Sequence, residues 1–319
     1  TIVLQEDSKT LDEVVVVGYG VAKKSDFTGS LTTVNSDKIL DSHKQSAAAA
    51  LQGTIAGVDI VKNGNNPGSG FNIMVRGQNT ISNSGTGNAN SINTPLYVID
   101  GMMMDNMNDI APDDIERIDV LKDASSTAIY GSRGANGVVI VTTKKGSAIK
   151  EKSNVEYNGF VSFSTATHLP DMLNASEFAD YKVERYMGSN WKNYTYNGQR
   201  ASYQNALTTQ AYNNYTAGKE VDWVDALLKT AVSQNHSLRV YGSGTGLVYS
   251  FGVGYTDESG VTGTDNYKRY NFSTSVDKDL SKVLKAGISI YTAYTKTITS
   301  PETVRQAYRL NPLTDMYNE

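Results

Sequence analysis

Beyond residue 153 the chain alternates apolar and polar residues with a period of two, and nothing else in the sequence constrains the fold as tightly. Val155, Tyr157, Gly159, Val161 and Phe163 fall on one side, Glu156, Asn158, Phe160, Ser162 and Ser164 on the other. Tyr249, Phe251, Val253 and Tyr255 alternate with Ser250, Gly252, Gly254 and Thr256, and Tyr270, Phe272, Thr274 and Val276 with Asn271, Ser273, Ser275 and Asp277. Leu284, Ala286, Ile288, Ile290 and Tyr294 oppose Lys285, Gly287, Ser289 and Tyr291, while Leu238 and Val240 belong to a weaker fifth stretch. Strands of about ten residues with one apolar side and terminal tyrosines suit a transmembrane β-barrel. A soluble sandwich also alternates, so the connections have to separate the two. Residues 243–246 and 278–282 are tight turns, 257–266 is intermediate, and 166–232 is a long insert. Short turns at one end and longer loops at the other are the asymmetry of a barrel with a periplasmic and an extracellular side.

Of 20 tyrosines only Tyr19, Tyr97 and Tyr130 precede residue 150, which marks a boundary near the charged, flexible stretch GSAIKEKS at 146–153. The net charge of −4 gives no basic surface for nucleic acid and no polybasic membrane anchor. With no cysteine the chain has no disulfide framework, no Cys-ligated zinc and no thiol nucleophile. No apolar run approaches the roughly 18 residues of a membrane-spanning helix. No secretory signal is visible at Thr1, so an exported protein would have had its N-terminus processed or removed.

The first half reads as a compact α+β domain. In residues 112–146, PDDIERIDVLKDASSTAIYGSRGANGVVIVTTKKG, the residues Ile118, Val120 and Leu121 make a short strand, and Asp123 caps a helix from Ala124 to Tyr130, with Gly131 at the left-handed C′ position. The β-branched run at 137–143 suits a strand covered on both faces. Its glycines are spaced by three and follow the order helix, loop, strand, so they do not form a phosphate cradle, which needs a helix N-terminus after the loop. Upstream, 57–62 and 72–76 are strands around a Pro/Gly turn, and 78–95 is a polar loop too long for a simple turn. The stretch MMMDNMND at 102–109 lacks EF-hand spacing, and its methionines read as adaptable packing between domain and wall.

Four blocks carry a resemblance: LDEVVVVGYG (11–20), LQGTIAGVDIVKNGNNPGSGFNIMVRGQNTI (51–81), PLYVIDGM (95–102) and DIERIDVLKDASSTAIYGSRGANGVVIVTTKKG (114–146). Together they closely resemble the plug domain of SusC-like (SusC/RagA) TonB-dependent transporters of the bacterial outer membrane. The resemblance implies an α+β plug followed by antiparallel transmembrane β-barrel strands. It divides the chain into the tail of an extension domain (1–10), a TonB-box-like segment (11–20), the plug (21–146), a linker (147–153) and the start of the barrel (154–319), with a first extracellular loop at 166–232. Asp12, Glu13, Val14, Val15, Val16 and Val17 would pair as an added strand with TonB of the TonB-ExbB-ExbD complex; the plainer reading is the plug's first strand. Arg76 and Arg133 would be plug arginines pairing with barrel-wall carboxylates. A SusD-like surface lipoprotein would serve as lid and oligosaccharide or peptide as cargo, with lipid around the wall and neither cofactor nor metal. Five strands cannot enclose a plug that in such proteins sits inside about 22, so the chain is expected to be the front of a longer one.

The long insert carries a capping box, Asn174 with Glu177, and many tyrosines interleaved with asparagines. Gln78, Asn79 and Asn83 of the polar loop, with Tyr186, Trp191, Tyr194 and Tyr196 of the insert, are candidate cargo or lid contacts; packing against neighbouring loops is the alternative. No catalytic constellation emerges, since His43, His168 and His236 are scattered and Asp113–Asp114 reads as a helix start. The chain is therefore expected not to be an enzyme. The competing reading is a secreted or surface glycan-binding or adhesin module without transport.

Overall fold

The computed structural model describes residues 14–17, 20–23, 31–41, 44, 46–75, 77, 93–144, 153–194, 199–281, 283–299 and 303–315. They form two compact units, one of Thr1–Val161, Gln234–Glu258 and Tyr267–Lys296, the other of Ser162–Ser233, Ser259–Asn266 and Thr297–Glu319.

The first unit opens with a hairpin of β1 (Val14–Val17) and β2 (Gly20–Lys23), paired from Val14↔Lys23 to Val17↔Gly20. Then come β3 (Leu31–Asn35), α1 (Ser36–Asp41), α2 (Ala47–Leu51) and an antiparallel pair, β4 (Val58–Lys62) and β5 (Phe71–Val75). Next are β6 (Leu96–Ile99), β7 (Met102–Met104), β8 (Ile115–Leu121), α3 (Ala124–Thr127) and β9 (Val138–Thr143). These build a five-stranded sheet in the order β3-β8-β9-β6-β7, in which only β6 and β9 run parallel.

Strand β9 shows why an unbroken aliphatic run was needed. Val139 and Val141 face a core with Ile39, Leu51, Ile73, Ile115 and Val120, whereas Val138 and Ile140 face Leu96, Val98, Leu121 and Tyr130. Asp123 caps α3 as the sequence suggests, accepting the Ser126 N–H at 2.7 Å. The helical turns run to Tyr130, the last of them 3-10, and Gly131 breaks them with positive φ as expected (φ 60°, ψ −146°); a separate 3-10 turn follows to Gly134. Gly137 holds φ +93°, and a Cβ there would lie 2.8 Å from Val75, so β5 packs where only glycine fits.

Five long strands follow: β10 (Ser153–Ser164), β11 (Ala231–Gly244), β12 (Leu247–Ser259), β13 (Asn266–Asp279) and β14 (Lys285–Ile298), each beside its chain neighbour. A two-residue turn at 245–246 and a short one after Asp279 join strands at one end, and the longer connections lie at the other. The stretch that looks weakest in sequence, β11, is as long as the rest and keeps unbroken register with β12 from Gln234↔Asp257 to Gly244↔Leu247. Val155, Tyr157, Phe163, Phe251, Val253, Tyr270, Ile288 and Tyr294 all stand exposed on the outward side.

The second unit is helical: α4 (Ala175–Ser189), α5 (Trp191–Tyr194), α6 (Tyr203–Ala206), α7 (Thr209–Thr216), α8 (Trp223–Leu227) and α9 (Thr303–Ala307). The expected capping box is present on α4, with Asn174 accepting from Glu177 N and Glu177 accepting from Asn174 N. Tyr203, Tyr212 and Tyr215 pack half-buried on a small core of Ala179, Leu207, Ala211 and Leu313. Donating to Asp180 at 2.7 Å pushes the Tyr203 hydroxyl up to about 12.

Candidate plug–wall anchor

The loop after β7 carries Asn106 to Asp114 against the inward face of β11–β14. Pro112–Asp114 is a short 3-10 turn, so the acid pair does begin a helical turn, but Asp114 is buried and turned toward the wall. Arg239 of β11 meets it at 2.6 Å, with side-chain exposures of 8 and 7 %. Asn271 donates to the second carboxylate oxygen at 3.1 Å and Ser273 to the first at 3.1 Å. The guanidinium also donates to the Lys144 and Asp113 carbonyls, both at 3.2 Å. A pair so enclosed is satisfied only because both ions find further hydrogen bonds.

Strand β12 makes the room. Arg239 pairs across the ladder with Gly252, and a Cβ on Gly252 would stand 2.5 Å from Ser273 Oγ and 3.2 Å from Asp114 Oδ1. Gly254, one inward position along, leaves the same space for Asn271. The carboxylate therefore occupies volume that a wall side chain would otherwise fill.

Further contacts extend the seam. Arg269, 2 % exposed, donates to the Asn108 carbonyl at 3.2 Å. The Tyr291 hydroxyl accepts from Ala111 N at 3.0 Å and donates to the Asp109 carbonyl. Glu258 accepts from Gly68 N at 2.9 Å and pairs with Lys62 at 3.7 Å, while Glu156 pairs with Lys144 at 3.4 Å. Burial raises the Asp113 carboxyl above its ordinary value, against a hydrogen bond from Ser237 and the nearby Lys144 charge.

The residues expected to matter fall elsewhere. Arg133 is exposed and reaches Met103 Sδ at 3.5 Å. Asp12, Glu13, Arg76, Gln78, Asn79, Asn83 and Tyr196 lie outside the described residues, as does the side chain of Tyr194. Val14 to Val17 form β1, Tyr186 lies half-buried on α4, and Trp191 is 56 % exposed. Met107 packs in the plug core, whereas Met102, Met103 and Met104 are exposed on β7. Sequence reasoning missed Asp114, Arg239 and Arg269; the signal available was two arginines at inward positions of strands otherwise lined by Ser, Asn, Gly and Thr.

A mixed sheet docked by polar contacts on the inward side of an outwardly apolar ribbon is the front part of a plugged barrel. Residues 23–138 match the family model described as the TonB-dependent Receptor Plug Domain. The chain is 36% identical over 284 residues to the TonB-dependent receptor SusC of Bacteroides thetaiotaomicron, which covers 86% of this chain and 25% of that protein. It is also 36% identical over 293 residues to the TonB-dependent receptor P26 of Formosa agariphila, covering 91% of this chain and 27% of the relative. Among solved structures it is similar to the RagAB peptide importer in its 'open-open' state, with TM-score 0.74 and 28% identity over 91% of this chain and 33% of that one. The chain belongs to the TonB-dependent receptors, outer-membrane β-barrel proteins, in their SusC-like branch. It spans about a quarter of the length of these curated relatives.

Proposed function

We propose that the chain is the plug and opening wall of an energised importer that brings oligosaccharide or peptide across the bacterial outer membrane. The observation that carries this reading is the anchor: Asp114 is held by Arg239, Asn271 and Ser273, so the globule is built to sit against the inward side of the wall. TonB, driven by its ExbB–ExbD partners, engages Asp12 to Val17 by strand addition, which suits the extended backbone of β1. Force applied there reaches the plug through β3, whose neighbour β8 begins directly after the anchored Asp114. Arg133 completes plug-to-wall pairing with strands that follow Ile298, and Arg76 does the same. A SusD-like lipoprotein closes over the outer loops, where Trp191, Tyr186, Tyr194 and Tyr196, with Gln78, Asn79 and Asn83 of the plug, contact lid or cargo. No reaction is assigned to the chain. An adhesin reading is disfavoured by the exposed apolar rows of β10 and β14, which suit lipid and not water.

Deleting residues 11–20 from the full-length transporter is expected to abolish uptake while leaving membrane assembly and thermal unfolding unchanged. Uptake at the parental rate would overturn the reading.

A further inference from the structure

The helical unit holds a cavity of its own. It measures about 140 Å³ and lies between residues 172–174, 220–224 and 307–312, smaller than the roughly 300–1,000 Å³ of ordinary small-molecule sites. Its segments are joined before anything binds. Val221 N donates to the Pro312 carbonyl at 2.9 Å, the Trp223 indole N–H to the Asn311 carbonyl at 2.9 Å, and Ala175 N to Glu220 at 3.0 Å. The half-buried Trp223 and buried Ala307 line the interior, while Met172, Leu173 and Leu310 are 41, 47 and 45 % exposed. The polar side chains of the lining are Asn174, Glu220 and Asp222, and no lining residue is a cation. Each carboxylate gives one oxygen to a helix start, Glu220 to Ala175 N and Asp222 to Val224 N and Asp225 N. The other oxygen of each takes no protein donor among the described residues.

We propose that this pocket takes the basic side chain of a polypeptide, a lysine or an arginine, presented from outside the cell. Such a side chain joins an apolar stem to a head that donates hydrogen bonds and accepts none. The stem suits the apolar interior, the head meets two fixed acceptors, and the indole face attracts its charge. A sugar ring fits worse. Its hydroxyls accept as well as donate, and with the indole N–H engaged the Asn174 amide is the one side-chain donor left in the lining. An anionic group meets two like charges. The inference rests on the import reading only for the outward placement of this unit, which is built from the longer connections of the wall and the chain after β14. A peptide cargo or the covering lipoprotein can supply the side chain, and the chemistry is the same for both.

The test uses the full-length transporter in detergent, labelled with 5-fluorotryptophan, with the fluorine resonance at 223 assigned through Trp223→Phe. Blocked Gly-Lys-Gly, Gly-Arg-Gly, Gly-Met-Gly and Gly-Glu-Gly are the probes. A basic probe should shift that resonance saturably, with the methionine probe at least about tenfold weaker and the glutamate probe silent. Glu220→Gln with Asp222→Asn keeps an acceptor for each helix start and should weaken the basic probe at least about tenfold. Leu310→Lys, at an exposed position, should block it by supplying an ammonium from within. Equal binding of the methionine probe, unchanged affinity in the neutral pair, or no shift with either basic probe would overturn the proposal. Benzoylphenylalanine in place of Met172, in cells, then names the source. An adduct with the supplied lysine peptide assigns the side chain to cargo, and one beside a lysine or arginine of a surface lipoprotein assigns it to the lid. An adduct that survives the neutral pair, or none at all, overturns the site. Uptake is followed in the same cells: if it ignores residues 11–20 the import reading fails whatever the probes show, and if it needs them while the probes fail, only the pocket is lost.

Discussion

Plug and wall spend the same residue types in opposite ways. Val139 of β9 is 0 % exposed, Val155 of β10 is 70 %, and both sit in regular strands. In the plug, aliphatic side chains are withdrawn from water into two layers around β9. In the wall they point away from the protein, and the inward side is left to Ser, Asn, Gly and arginine. The contrast teaches that the plug holds itself together by apolar burial and holds the wall by polar contacts. Polar contacts can be exchanged for water when the plug moves, whereas an apolar seam would resist every opening.

The largest effect should come where the two regimes meet. Asp114→Ala leaves Arg239 enclosed without its counter-ion and is expected to cost about 3–5 kcal/mol, read from denaturant unfolding of the detergent-solubilised transporter. Asp114→Leu combined with Arg239→Met should recover most of that loss; equal damage in the double variant would mean that shape, not charge, joins plug to wall. Within the plug, Ile140→Ala should cost about 2–5 kcal/mol by leaving a cavity beside Tyr130 and Leu96. On the outward row, Val253→Arg should cost about 2–4 kcal/mol when folding is measured into bilayers. A change there within about 0.5 kcal/mol, the ordinary result at a solvated surface, would break the comparison.

Smaller effects sharpen it. Asn174→Ala removes the cap of α4 and should cost about 1 kcal/mol, seen as earlier hydrogen exchange in that helix with the plug unaffected. Asp113 gives a pH signature. Burial raises its carboxyl above 3.8, so the folded protein keeps a proton that the unfolded chain has already released. Its contribution to stability is greatest at acid pH and falls as pH rises through the raised value. Asp113→Asn should flatten that slope in the thermal midpoint, and an unchanged slope would place its source elsewhere.

Much of this architecture could be read from residue order, for reasons that differ by region. Alternation in β10, β12, β13 and β14 is a property of the strand backbone itself, so it survives in sequence whatever the neighbours are. The strands of the plug were bracketed by local punctuation, such as the Asp123 cap and the glycine at 137. The anchor had no such trace. Asp114 and Arg239 are 125 positions apart, and each looks ordinary beside its own neighbours. Asp114 followed Pro112 and Asp113 into a reading as a helix start, which is true of its backbone and silent about its side chain. The end of the helical run at Gly131 could by contrast be read locally, because a glycine that takes positive φ breaks the helix before it.

The gap at Gly252 ties the ancestry of the two parts together. A foreign plug lacking an acid at the place of Asp114 would leave a hollow under the ribbon and a stranded guanidinium, and a foreign ribbon with any larger residue in the hollow would evict the carboxylate. Stopper and cylinder must then be inherited as a matched set, and grafts between cousins should succeed only when key and keyhole travel together.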